Sequence, residues 1–126
     1  MPASARLIVL AAALLGGLGV LLGAFGAHGL KHRVPPELLA LWQTAVQYHL
    51  WHALAMLAVG LLLLHVPQHG WLRVAAVLFL AGTTLFSGSL YALALGAPRL
   101  LGALTPLGGL ALIAGWGCLA VAAFRA

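Results

Sequence analysis

Four nearly unbroken apolar stretches dominate the chain: Leu7–Ala27, Leu38–Leu64, Leu72–Leu95 and Leu100–Phe124. A bilayer hydrocarbon core is about 30 Å thick, and a helix rising 1.5 Å per residue crosses it in about 20 apolar residues. Each stretch meets that length. The breaks carry turn formers: Pro35-Pro36, then Pro67 with Gly70, then Gly96 with Pro98. The pattern predicts an all-α fold, a four-helix transmembrane bundle running up-down-up-down on short loops. Residues 1–126 form one integral membrane domain in this reading.

Within the first stretch, Gly16, Gly19, Gly23 and Gly26 are spaced three, four and three apart, which puts them on one helix face. Lipid supplies no hydrophobic drive for helix association, so close backbone approach counts for more there. The stripe is expected to pack on another helix of the same chain, with homodimerisation as the second reading. In the last stretch, Pro106 removes a backbone donor and predicts a kink.

Polar residues interrupt the apolar pattern in one half only. The second helix carries Gln43, Thr44, Gln47, Tyr48, His49 and His52 in its first half. The third carries Ser87, Ser89 and Tyr91 in its second half, the fourth has Thr105 early, and His28 closes the first. With antiparallel neighbours, these positions fall in the leaflet next to the first and third loops. The other half is nearly pure Leu, Ala, Val and Gly. Polar groups facing lipid are costly, so they are expected to face the bundle interior or a polar cavity.

Composition narrows the function. Only 6% of residues are charged against 64% hydrophobic, too few to coat a water-soluble globule. The net charge of +5 comes from single Lys and Arg residues near helix ends, which fits headgroup contact and not nucleic acid. The basic residues divide evenly, with Arg6, Arg73 and Arg125 on the side of the termini and Lys31, Arg33 and Arg99 opposite. Charge therefore leaves the orientation open. The first apolar run exceeds a secretory signal core and reads as a retained helix.

Glu37 is the only acid, and it lies outside the apolar stretches. A carboxylate metal site and an acid-oriented Ser-His arrangement are thus unavailable. His49 and His52 are three apart, the spacing of a shared metal, while His28 and His52 differ too much in depth for axial haem ligation. No metal and no cofactor is expected, nor an enzyme. Cys118 lies in an apolar run and reads as a packing residue.

Several strings carry a resemblance. They are Gly23-Ala24-Phe25-Gly26-Ala27-His28, then Gln43-Thr44 with Tyr48 and His52, then Leu85-Phe86-Ser87-Gly88-Ser89-Leu90-Tyr91. Thr105-Pro106-Leu107-Gly108-Gly109 and Ala114-Gly115-Trp116 follow. In order and spacing the chain resembles domain-of-unknown-function family 423, small four-helix proteins of the bacterial inner membrane, similar to the transmembrane protein 256-like group. The resemblance implies multi-pass residence there with cytoplasmic termini, and no biochemical activity. Its pattern has histidines at His28 and His52 and hydroxyls at Ser87, Ser89 and Tyr91, but glutamine in place of His49.

The expected ligand set is His28, Gln43, Gln47, Tyr48, His52, Ser87, Ser89, Tyr91 and Thr105. The expected function is non-enzymatic: a polar pocket in one leaflet that binds a small ligand or lipid, or passes a small solute. The alternative is a structural or accessory subunit whose polar residues lock helices or dock a partner. The bilayer is the one sure partner, and a homo-oligomer or a membrane complex is left open.

Overall fold

The computed structural model describes residues 1–126. It holds four helices and no strand: α1 Ala3–His28, α2 Pro36–Leu63, α3 Gly70–Ala94 and α4 Leu104–Phe124. Short 3-10 turns at Leu30–His32 and Arg99–Ala103 precede α2 and α4. All four helical segments are long and apolar enough to cross a membrane.

Local chemistry explains the helix ends. Pro36 occupies the first helical position of α2 and Glu37 its first turn. Proline loses no hydrogen bond there, and a carboxylate is favoured at the positive end of the helix dipole. At the end of α3, Gly96 N–H donates to Leu93 O and Ala97 N–H to Ala92 O, at 3.1 and 3.0 Å. This reverse-turn cap requires a left-handed residue, and Gly96 has φ +99°. The fourth helix starts at Leu104 and not Leu100, because Arg99–Ala103 winds as a 3-10 turn. Pro106 therefore falls in the first turn of α4, where an N–H has no intrahelical acceptor to lose. It helps start the helix, and the kink expected from the sequence has no cause.

The helices pack in chain order: α1 on α2, α2 on α3, α3 on α4. No comparable interface joins α1 to α4, so the arrangement is a zigzag and not a closed ring. Glycines set the spacing of both outer pairs. On α1, a Cβ added at Gly16 would meet Ala53 at 3.8 Å, at Gly19 Leu50 at 2.6 Å, at Gly23 Val46 at 3.3 Å and at Gly26 Trp42 at 2.6 Å. The whole ladder faces α2. Between α3 and α4, a Cβ at Gly108 would strike the Phe86 backbone, and one at Gly115 would lie 2.7 Å from the Phe79 ring.

Two buried clusters follow. The larger joins Ala5, Met56, Val59, Leu63, Leu72, Phe79 and Ala122 in the half near the termini. There a single long side-chain hydrogen bond, Ser4 Oγ–H to Pro67 O at 3.4 Å, connects α1 to the second loop. The smaller, Leu30, Trp42 and Ala94, lies near the first and third loops. Most of the polar side-chain bonds between helices lie in that second half.

Candidate functional site

The inward side of α2 carries Ala45, His49, His52, Ala53 and Met56, all buried. His49, 2% exposed, ties three helices together. Its Nε2 lies 2.7 Å from the Leu15 carbonyl of α1, and its Nδ1 lies 2.8 Å from the Tyr91 hydroxyl of α3. A carbonyl can only accept, so Nε2 carries the hydrogen. Nδ1 is then the acceptor, and Tyr91 O–H donates to it.

One turn on, His52 takes the opposite tautomer. Its Nδ1 lies 2.7 Å from the Tyr48 carbonyl, so the hydrogen is on Nδ1. Its Nε2 accepts from the Trp116 indole N–H of α4 at 3.0 Å. All four ring nitrogens are satisfied, which removes most of the penalty of burying two imidazoles. No three His, Cys, Asp or Glu side chains gather in one place.

The hydroxyls of Ser87, Ser89 and Thr105 join helices. Ser87 Oγ–H donates to Ala45 O of α2 at 2.7 Å. Ser89 bonds Phe86 O at 2.9 Å and Thr105 Oγ1 of α4 at 2.5 Å. Trp42 Nε1–H donates to Leu22 O of α1 at 2.8 Å, and its ring packs on Tyr91 at 4.6 Å.

Tyr48 and His52 line a crevice of about 510 Å³ between α2 and α4. Trp51, Phe86, Gly109, Leu112, Ile113 and Trp116 complete it. The Tyr48 ring lies 4.5 Å from Phe86 and 5.2 Å from Trp51 between centroids, and Trp116 packs edge-on to Phe79 at 5.0 Å. No charged side chain lines this space. None of the chain's side-chain hydrogen bonds uses the Tyr48 hydroxyl.

The nine residues expected to share one pocket are thus distributed among several places. Tyr48 and His52 line the crevice. Ser87, Ser89, Tyr91 and Thr105 sit in separate joints between helices. Gln43 and Gln47 are exposed on the outside of α2, contrary to the inward placement expected from polarity. The inward side is already filled by Trp42, His49 and Ala53, which fit against the α1 glycines, and by Ala45, whose carbonyl takes the Ser87 hydrogen of α3. His28 is exposed at the end of α1, away from the crevice.

Three residues outside the expected set matter. His49 lies outside the expected set, yet it makes the central tie. Trp116 has an indole N–H in mid-span, a group that needs a partner when buried from water, and this was the available signal. Thr83 is 2% exposed and its hydroxyl has no partner. No sequence signal separates it from Thr84, which bonds its own helix at Leu80 O.

Comparison with known proteins gives a family. A family model described as "Protein of unknown function (DUF423)" matches residues 22–109. The UPF0382 membrane protein YwdK of Bacillus subtilis is 43% identical over 120 residues, covering 95% of this chain and 98% of that protein. A UPF0382 membrane protein of Schizosaccharomyces pombe is 46% identical over 116 residues, covering 87% and 95%. One from Haemophilus influenzae is 41% identical over 113 residues, covering 90% of each. No solved structure matches the chain.

Proposed function

The chain belongs to the DUF423 family, whose named relatives are described only as membrane proteins, and we propose from the site itself that it binds a neutral, lipid-soluble small molecule in the crevice between α2 and α4. One observation carries this reading. Tyr48, with a hydroxyl unused by the chain, lines an uncharged aromatic space of about 510 Å³. Small-molecule sites span about 300–1,000 Å³ and pair apolar walls with a few polar groups. His52 has both nitrogens engaged, so it shapes the wall and leaves Tyr48 to orient the ligand.

Depth sets the ligand class. Tyr48 is twelve residues into a helix of 28, about 18 Å along a rod of about 42 Å. That is close to the bilayer centre. A ligand there arrives sideways from the acyl chains, so it is hydrophobic with a weakly polar end. The role is read as non-enzymatic, because the site offers no carboxylate to work with either histidine. Conduction by one copy is disfavoured by the apolar packing of the half near the termini. The membrane is taken as the bacterial inner membrane with cytoplasmic termini, and the yeast relative extends membrane residence beyond bacteria.

A second reading is an accessory subunit whose polar residues only hold helices together. The bonded state of His49, His52, Ser87 and Ser89 favours it. Native mass spectrometry from mild detergent separates the two. Binding predicts a reproducible extra mass on the wild type, weakened by Tyr48→Phe and abolished when Ile113→Trp fills the crevice. A bare mass in the wild type, with a larger complex under gentle extraction, would favour the accessory role.

A further inference from the structure

We propose that the outward face of α2 carrying Gln43 and Gln47 is a two-fold interface with a second copy of this chain. Both glutamines are exposed, one turn apart, on a helix that crosses the membrane. No side-chain hydrogen bond within the chain involves either amide. An amide turned towards hydrocarbon without a partner is unfavourable, so something of matching chemistry covers these two.

Depth decides between a lipid headgroup and a protein. With its 28 residues, α2 is about 42 Å long, some 12 Å more than the hydrocarbon core, or about 6 Å at each end. Gln47 is eleven residues past Pro36, about 16 Å from the helix start and so about 10 Å below the hydrocarbon boundary. A phosphate or ester group stays at the boundary and does not follow it there. A helix can supply a partner at that depth.

The copy follows from symmetry. Two identical chains inserted the same way relate by an axis along the membrane normal, which keeps every residue at its own depth. Gln47 then meets Gln47 of the other copy, and Gln43 meets Gln43. A carboxamide has a donor and an acceptor, so each pair closes two reciprocal hydrogen bonds. The surface allows approach: beside the glutamines, Gly23, Gly26 and Ala27 form the low floor of a groove of about 320 Å³. Trp51, 54% exposed one turn further on, extends the same face and would be covered with it.

The test is disulfide cross-linking in proteoliposomes on a Cys118→Ala background. Gln47→Cys is expected to give a dimer under mild oxidation. Leu110→Cys, exposed on α4 in the same half, is expected to give none. An equal yield from the two sites would overturn the interface. A second measurement uses the full chain without introduced cysteines. Fluorescence energy transfer between labelled copies reads the association constant, where each interhelical hydrogen bond contributes about a factor of three. Replacing both glutamines, Gln43→Leu with Gln47→Leu, removes four bonds and is expected to weaken association about 80-fold. Unchanged association, or a wild type that stays monomeric in the bilayer, would refute the proposal.

Discussion

Adding one methyl group to Gly108 tests the packing of α4. A Cβ there would strike the Phe86 amide nitrogen, lie 2.8 Å from Phe86 Cα and 2.9 Å from Gly82 O. These are backbone atoms, which cannot rotate away. Ordinary carbon contacts are about 3.5–4.0 Å, so α4 must retreat from α3 by about 1 Å. The same retreat loosens Leu112 over Gly82 and strains the Ser89–Thr105 and His52–Trp116 bonds. Overpacking of this kind costs about 1–3 kcal/mol. Gly88→Ala is the control, because nothing lies within 4 Å of its added Cβ. In a helix interior that change favours the folded chain by about 0.5–1 kcal/mol. The same gain applies at Gly108 and cancels in the comparison, so reversible unfolding in mixed micelles should separate the two alanine variants by about 1–3 kcal/mol. A difference under about 0.5 kcal/mol would refute the claim that backbone contact at Gly108 sets the α3–α4 distance.

Three further outcomes follow from the polar joints and the turn. Trp116→Phe keeps the ring and deletes the donor to His52; in a double-mutant cycle with His52→Phe the coupling should be about 0.6–1.7 kcal/mol, and strict additivity would remove that bond from the account. Thr83→Val deletes a buried hydroxyl that has no partner; it should leave stability unchanged or raise it by about 1 kcal/mol in the same micelle titration, and a clear loss would mean the hydroxyl is bonded. Gly96→Ala forces a side chain to φ +99° with no new contact, so it should cost about 1–2 kcal/mol of backbone strain, seen as a lower melting temperature.

The four spans were legible because bilayer thickness imposes a length that hydropathy reports directly. The helix partners of Gly16, Gly19, Gly23 and Gly26 were half legible: their common face was readable, while α2 as the opposing surface was not. Side-chain direction on α2 was misread. Gln43 and Gln47 share a face, and polarity argued that it pointed inward. In lipid the inward face is chosen by fit, here by Trp42, His49 and Ala53 against the α1 glycines, and polarity does not outvote it. The role of His49 depends on Leu15 and Tyr91, residues far away in sequence, so its own position in the chain does not announce it. The start of α4 was missed because a 3-10 turn and a helix share the same apolar composition.

The zigzag order of packing has a consequence for biogenesis. Each helix finds its main surface on the helix made just before it, so no segment waits in the bilayer for a distant partner. The α1–α2 hairpin can zip along its glycines while α3 is still in the ribosome tunnel, and α4 completes the structure by docking mainly on α3, with Trp116 reaching His52 of α2. Such local closure carries little loop entropy and leaves few exposed intermediates for quality control to capture. The open edges left by α1 and α4 mean that the last helix to emerge need not thread back to the first.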